Sequence, residues 1–353
     1  MSWIGISTGR RVLRAPARSD PNEIITVGTV VLELPFQPKV GQTQTVFDLN
    51  PTLEWPRRIH MTLSAEGVVA VESRLGSAVR NTSVAIAKPD PDAELRITLS
   101  WHAPERLGLL TVENLDTKEL VQKMFEHPLP WTQCDVFTLI EPNNDCYIDH
   151  SLGLIAVSDQ IEPVGLSGGF GAGTMVDTDA GPVAVEDLRP GDIVQTSEHG
   201  MQPIRRITSY EVPSAGRFAP IELTAPFFGL DRDLIVARDH RLLVEGADAE
   251  YLFGTDEVLI AAHYLKRMAA PLMPTRPATV RYVQVLLDAH VCLSVGGAWG
   301  ESLYVGDLRD NPARLATSTL AHVLPKDLPR HAAIAGPQLK GYEAIVLVSA
   351  LCA

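Results

Sequence analysis

Cysteine is scarce in this chain, which has four thiols, Cys134, Cys146, Cys292 and Cys352, among 353 residues. Four are too few to staple a disulfide-held scaffold, and no paired C-x-x-C spacing offers a zinc site. Only Cys134 and Cys146 are close enough in sequence to invite a bridge, and the reading taken is small buried thiols. Positive charge is also short: 30 Lys and Arg stand against 43 Asp and Glu, a net charge of -13. Broad nucleic-acid binding is therefore not expected, because neutralising phosphates requires a clustered basic surface. Long apolar runs are missing too. The longest, Ala344 to Ala353, is broken by Ser349 and falls well short of the roughly 20 residues that a bilayer demands; it reads as a buried final strand, and no membrane span is expected. The N-terminus has no apolar signal core. The expectation is a cytoplasmic protein, or one exported by a non-Sec route or carried within a particle.

At 45% hydrophobic and 21% charged residues, the composition is that of an ordinary globular chain, and its length suggests roughly two domains. Residues 1–22 form a basic arm in which Arg10, Arg11, Arg14 and Arg18 alternate with Val12, Leu13 and Ala15; it reads as a solvated terminus. From Glu23 the chain alternates in short β-branched runs, Ile24 to Leu34, Ile59 to Leu63, Gly67 to Ser73, Leu95 to Trp101 and Leu107 to Glu113. Strands of this length between Pro, Gly, Asp and Asn turns predict an antiparallel β-sandwich over residues 23–160.

The pairing of Leu95 to Trp101 with Leu107 to Asn114 across a short turn resembles the concanavalin-like lectin and laminin-G sandwiches. What that resemblance implies is a surface for a glycan or a protein partner. Asn143, Asn144 and Asp145, with Asp149 and His150 close behind, form a polar group with the oxygens that calcium or a sugar hydroxyl would need. The plainer reading is a turn that uses the backbone tolerance of Asn and Asp. Trp55, Trp101 and Trp131 are candidates either for sugar stacking or for the core.

The second half carries motifs. Gly168 to Met175 reads GGFGAGTM and is followed by PVAVEDLRPGDIV from Pro182 to Val194. Further on come LIVARDHRLLV from Leu234 to Val244, VQVLLDAH from Val283 to His290 and GAWGES from Gly297 to Ser302. In this order the four blocks resemble the bacterial Hint domain, the self-processing module of hedgehog proteins and inteins, and the resemblance implies an all-β domain over residues 161–310. Asp187, Gly191 and Asp192 are read as a tight turn between strands. Residues 311–353 are an extension with Leu315, Leu320, Val323 and Leu324 at helical spacing, a Pro-rich link and the final strand.

In that family, a cysteine five residues before the Thr attacks the carbonyl that precedes it. A Thr or Ser hydroxyl and a His three residues beyond it assist the departure of the nitrogen. Here the cysteine position is Gly169, the hydroxyl position is Ala237, and only His240 is kept. No catalytic residue is therefore expected, and His240 becomes a structural polar group. Ser167 is the alternative nucleophile for an autoprocessing protein, although two residues along a strand displace it by roughly 6 to 7 Å. Asp288 and His290 alternate, so on a strand they would share a face. With His240 and Asp239 they could be imagined as a metal site, but the reading is a hydrogen-bonded pair, with no metal and no cofactor. A hydrolase acting on an external substrate lacks an evident Ser/His/Asp set. The fold expected is mainly β, a sandwich followed by a Hint-like domain. The function expected is non-enzymatic binding or structure, as a surface adhesin or a subunit of a phage-like particle, with an oligomer compatible.

Overall fold

The computed structural model describes residues 2–9, 11–14, 20, 22–39, 41–51, 56–166, 168–226, 229–268 and 277–351. The chain divides into two compact units, Met1–Val164 and Gly165–Ala353, and both are built of antiparallel sheets.

In the first unit a seven-stranded sheet runs in the order Leu120–Glu126, Leu107–Asn114, Glu94–His102, Val27–Pro35, Leu154–Ser158, Trp3–Ser7, Val12–Arg14. A five-stranded sheet runs Cys146–Ile148, Thr43–Leu49, Arg57–Ser64, Val68–Leu75, Ala78–Ala85. Along Arg57–Ser64 burial alternates residue by residue, as a strand with one face on a core must. Ile59, Met61 and Leu63 meet Leu32, Leu95 and Leu110 in that core. Trp101 and Trp131 stack there at 5.4 Å, and the Trp101 indole donates to the Ile25 carbonyl at 2.8 Å. Both indoles are therefore core, while Trp55 lies outside the described residues. Gly28 is required beneath Trp101, because a β carbon there would stand 2.4 Å from the indole.

The helix Gln133–Ile140 closes one end of this core. Thr132 and Asp135 form its capping box, and buried Arg57 forks onto Asp135 and donates to the Pro130 carbonyl.

Two expectations are corrected here. Trp3–Ser7 and Val12–Arg14 are strands of the seven-stranded sheet, not an arm. Arg14 pairs with Glu141 at 2.9 Å and lies over the Phe137 ring, so strand pairing and a local ion pair use what composition alone left as solvated charge. Arg10 and Arg18 lie outside the described residues. Cys134 is exposed, whereas Cys146 and Cys292 are buried free thiols; burial pushes the Cys146 thiol up to about 12 and raises Cys292 as well. Cys352 lies outside the described residues.

The second unit holds a five-stranded sheet, Arg206–Pro213, Thr279–Leu286, Phe170–Gly171, Leu234–Val236, Ile221–Leu223. A larger sheet runs Gly181–Ala184, Met175–Thr178, Ile193–Thr196, Cys292–Val295, Ala298–Glu301, Arg241–Glu245, Glu257–Ala261, with Gly200–Pro203 paired to Ile193–Thr196. The turn at Asp192 is as expected: its carboxylate accepts from the Arg189 amide at 2.7 Å, and Gly191 supplies φ +96°.

The chain's final segment is a helix, Gly341–Leu351, and not a strand. Ala344, Leu347 and Val348 sit on the core of the unit. The i, i+3, i+4 spacing that places them on one face is hidden when every neighbour is also apolar. Pro312–Leu315 is a single helical turn rather than a helix reaching residue 324. Thr317 and Ser318 hydroxyls bond back to the Arg314 and Leu315 carbonyls and end it. Leu315, Leu320 and Val323 still pack together with Leu286 and Leu303, and Leu324 is exposed. No helix among the described residues is long and apolar enough to cross a membrane.

Candidate functional site

The second unit brings its motif blocks to one place. Phe170 pairs with Val236 on one side and Val283 on the other, so the glycine pair just before it lies between two strands. The turn after Leu234–Val236 folds onto that pair: the Ala237 amide donates to the Gly169 carbonyl at 2.8 Å, and the His240 amide donates to the Ala237 carbonyl at 3.0 Å. A β carbon on Gly168 would stand 2.6 Å from His240 Cα and 2.8 Å from its Nδ1; one on Gly300 would stand 3.0 Å from Nε2. The Phe170 ring meets the imidazole edge-on at 4.4 Å. His240 is thus sealed, 1% exposed, with no hydrogen-bond partner on either ring nitrogen. Burial drives its pKa down to about 4, against a smaller upward pull from Glu301, so the ring is neutral at pH 7.

Gly169 presents no side chain toward this centre. A β carbon there would face Tyr282 Cβ at 3.1 Å and the Val283 carbonyl at 3.3 Å, and φ is not in the left-handed region. The carbonyl that a nucleophile at 169 would attack belongs to Gly168. It accepts from Gln284 Nε2 at 2.7 Å, and Gln284 is oriented by the Thr319 hydroxyl donating to its Oε1 at 3.0 Å. Beside His240 lies a second buried network. Glu301 accepts from the Arg241 amide at 2.9 Å and its guanidinium at 3.0 Å, and stands 3.5 Å from His290 Nε2. The Ala335 amide donates to His290 Nδ1 at 2.9 Å, which assigns the proton to Nε2. Burial alone would raise the Glu301 pKa, but the neighbouring His290 and Arg241 hold it below the usual carboxylate range.

Asp288 and His290 do not share a strand face. The strand ends at Leu286; Asp288 is exposed and pairs with Arg205, whereas the His290 side chain is fully buried. Asp239 stands 3.4 Å from His263. Among the described residues no group of three or more His, Cys, Asp or Glu is placed to hold a metal. Ser167 lies outside the described residues.

In the first unit Asn143, Asn144 and Asp145 form the turn between the helix and Cys146–Ile148. The Asn143 carboxamide oxygen accepts from the Asp145 amide at 2.8 Å, the local bond that such residues make in turns. Asp149 accepts from the Ser151 amide and hydroxyl. Next to this turn, the outward face of the five-stranded sheet carries a row that the sequence did not reveal. Tyr147 pairs with Asp48, Asp48 with His60, His60 with Glu72 and Glu72 with Asn81, one residue from each strand. At the usual strand spacing the row spans about 19 Å.

Arg58 forks onto Asp48 at 2.7 and 2.6 Å, and that bond lowers the Asp48 pKa. Arg58 and Arg74 each stand 3.9 Å from Glu72. Tyr147 is 54% exposed, and the polar members are half-buried or exposed. A planar aromatic beside fixed donors and acceptors, open to water, suits a ligand rich in hydroxyl groups.

Comparison with known proteins bears on the second unit. Residues 168–307 match the Hint domain family. The Hint match thus begins at the glycine pair and covers His240, Gln284, His290 and Glu301, whereas Thr319 and Ala335 lie beyond it. A comparison with curated proteins found no match. Solved structures with some likeness include the carbohydrate-binding module CBM40 of the Ruminococcus gnavus IT-sialidase, at 12% identity and TM-score 0.25 over 37% of this chain; the chain covers 63% of that module's length. Sheep galectin-11 is similar at 9% identity and TM-score 0.24, over 40% of this chain and 92% of that one. The enzymatically active domain of tailspike protein 2 of bacteriophage CBA120 shows 10% identity and TM-score 0.24, over 43% of this chain and 21% of that one.

The Hint blocks located Gly169, Ala237 and His240 from sequence. Gln284 and Thr319 carried no local signal, because a Gln in a strand and a Thr in a loop become partners only when the fold juxtaposes them. Strand alternation could have marked Asp48 and His60 as outward-facing, since each sits between buried apolar neighbours.

Proposed function

We propose that this chain is a non-enzymatic binding protein, in which a lectin-like sandwich presents the Tyr147–Asp48–His60–Glu72–Asn81 row to a glycan and a Hint domain no longer cuts itself. The observation that carries this reading is Gly169. An acyl shift would form a bond from the side chain of residue 169 to the Gly168 carbonyl carbon while the Gly168–Gly169 C–N bond breaks and its nitrogen takes up a proton. Gly169 has no sulfur or oxygen to begin that step, Ala237 has no hydroxyl to assist it, and His240 is neutral and walled in. When catalytic groups act as a unit, loss of the nucleophile alone removes nearly all of the acceleration. A sandwich surface of this kind fits a surface adhesin or a subunit of a phage-like particle.

Two experiments test the two parts separately. Freshly purified full-length protein, with and without a thiol or hydroxylamine, gives one species at full-length mass; fragments that disappear in Ser167→Ala would overturn the first part and make the chain an autoprocessing protein. On a glycan array, wild-type protein binds and Arg58→Ala with Glu72→Ala does not. An array without wild-type signal would overturn the glycan assignment and leave a protein partner.

A further inference from the structure

The segment that leads into the terminal helix is fastened to the second unit through two imidazoles. Its ends are pinned without them. At one end the Arg205 guanidinium donates to the Asp327 carbonyl at 3.0 Å and Arg309 donates to the Leu328 carbonyl at 2.9 Å. At the other, the Leu259 amide donates to the Pro337 carbonyl at 2.7 Å and the Leu339 amide to the Leu259 carbonyl at 3.0 Å. From His331 to Ala335 the three middle residues are exposed and the outer two are buried. Each buried one is held by a histidine. The Val305 amide donates to His331 Nδ1 at 3.3 Å, and His331 Nε2 stands 3.2 Å from the Leu287 carbonyl, to which it donates. The Ala335 amide donates to His290 Nδ1. Among the described residues no other hydrogen bond ties residues 331–335 to the unit.

An imidazole whose Nδ1 accepts an amide is neutral, with its single proton on Nε2. A second proton makes Nδ1 a donor facing another donor, so the bond is lost and a buried amide is left without an acceptor. The groups around the rings set how readily that proton arrives. Tyr304 lies 5.0 Å from His290 and 5.8 Å from His331. The two imidazoles are 5.9 Å apart, so a charge on one opposes a charge on the other. Glu301 stands 3.5 Å from His290 and favours its cation; Arg241 and His240, which also face Glu301, work against it. Burial lowers the His331 pKa, although the Leu287 carbonyl and Asp288 pull it up, and Arg330 beside it in sequence is exposed. A histidine so lowered contributes stability that is whole above about pH 6.5 and is lost as pH falls below it.

We propose that residues 328–337 form an acid-released strap, whose middle lifts from the second unit when His331 and His290 take up second protons while its two ends stay pinned. Ala335 packs with Leu243, Leu259 and Cys292, and its amide covers His290. Release therefore opens the side of the buried centre that holds Cys292 and the His290–Glu301 pair to solvent. The device needs neither glycan binding nor self-cleavage.

The test is hydrogen exchange of the full-length protein at about pH 7 and about pH 5, corrected for the intrinsic rate and read at single amides by mass spectrometry. Protection at Val305 and Ala335 falls about tenfold or more, while Leu303, whose amide donates to the Val285 carbonyl, keeps its protection. In His331→Gln, where the carboxamide offers an acceptor and a donor but does not titrate, Val305 protection stays level. Thiol labelling of the wild type with a pyridyl disulfide, mapped by peptide mass, needs no variant: at pH 5 Cys292 reacts and Cys146, buried in the first unit, does not. Equal protection at both pH values, loss at Leu303 together with Val305, a fall undiminished in His331→Gln, or Cys292 unlabelled at pH 5 would each overturn the proposal.

Discussion

The polar row on the sandwich and the buried centre of the second unit are made of the same side chains in opposite surroundings. The row has Arg58, Asp48, His60 and Glu72 open to water; the centre has Arg241, Glu301, His290 and His240, with both imidazoles and the Glu301 carboxylate buried. In the row, an ion pair gains little over hydration, so these groups can exchange water for a ligand at small cost. In the centre, each group is committed: Glu301 to Arg241 and His290, His290 to the Ala335 amide, and His240 to a cage of glycines and Phe170. The lesson is that a histidine beside a carboxylate says nothing about use until its access to a ligand is known.

The strongest way to sharpen this contrast is to delete one carboxylate from each. Glu301→Ala leaves the Arg241 amide and guanidinium without their acceptor, a change expected to cost about 3–5 kcal/mol for a pair whose carboxylate is buried. Glu72→Ala removes only two loose contacts at 3.9 Å, and less than about 1 kcal/mol is expected. Urea unfolding followed by circular dichroism measures both. Equal losses would mean that the two sites are not different in kind.

Acid should separate them next. The His240 pKa falls from 6.5 to about 4 on folding, so the unfolded chain binds the proton more tightly. Stability is then whole above about pH 6.5 and drains as pH falls toward 4, by a total of about 3 kcal/mol. His331, lowered in the same direction by burial, adds to the loss. His240→Gln should flatten much of the Tm decline in that window. A decline as steep in His240→Gln as in the wild type would show that His240 is not the group being protonated.

How much of this was legible before the structure follows from where each signal lives. Strand alternation and turn residues are local, and they were enough for a mainly β chain with a sandwich first; four spaced blocks were enough for the Hint scaffold and for Gly169, Ala237 and His240. The terminal helix was misread because Ala344 to Leu351 is apolar at nearly every position, which erases the period that tells helix from strand. Trp3–Ser7 gives little signal because its local partner, Val12–Arg14, is only three residues long and set among arginines, and its other partner, Leu154–Ser158, lies some 150 residues away in sequence. The contacts of Gln284 with Gly168 and of His290 with Ala335 are likewise products of the tertiary fold, and no spacing rule announces them.

The smallest expected effect is the finest probe of the centre, because it compares neighbouring glycines. At Gly168 a methyl group would meet His240 Cα, Cβ and Nδ1, all under 3.0 Å, and two of these atoms belong to a rigid part of a buried residue. Gly168→Ala must shift the Ala237–His240 turn and is expected to cost about 1–3 kcal/mol. At Gly169 the nearest atoms stand at 3.1 to 3.5 Å, so Gly169→Ala needs shifts of a few tenths of an ångström and should cost less than about 1 kcal/mol. The comparison also separates fold from chemistry. If Gly169 is a place where a side chain fits, then Gly169→Cys folds and sets a thiol next to the carbonyl that Gln284 already holds. Gly169→Cys with Ala237→Thr should then release hydroxylamine-dependent fragments split at residues 168 and 169, detectable by intact mass. A stable double variant without such fragments would mean that the scaffold has lost more than its two reactive atoms, and that the sealed His240 no longer reaches the nitrogen that must leave.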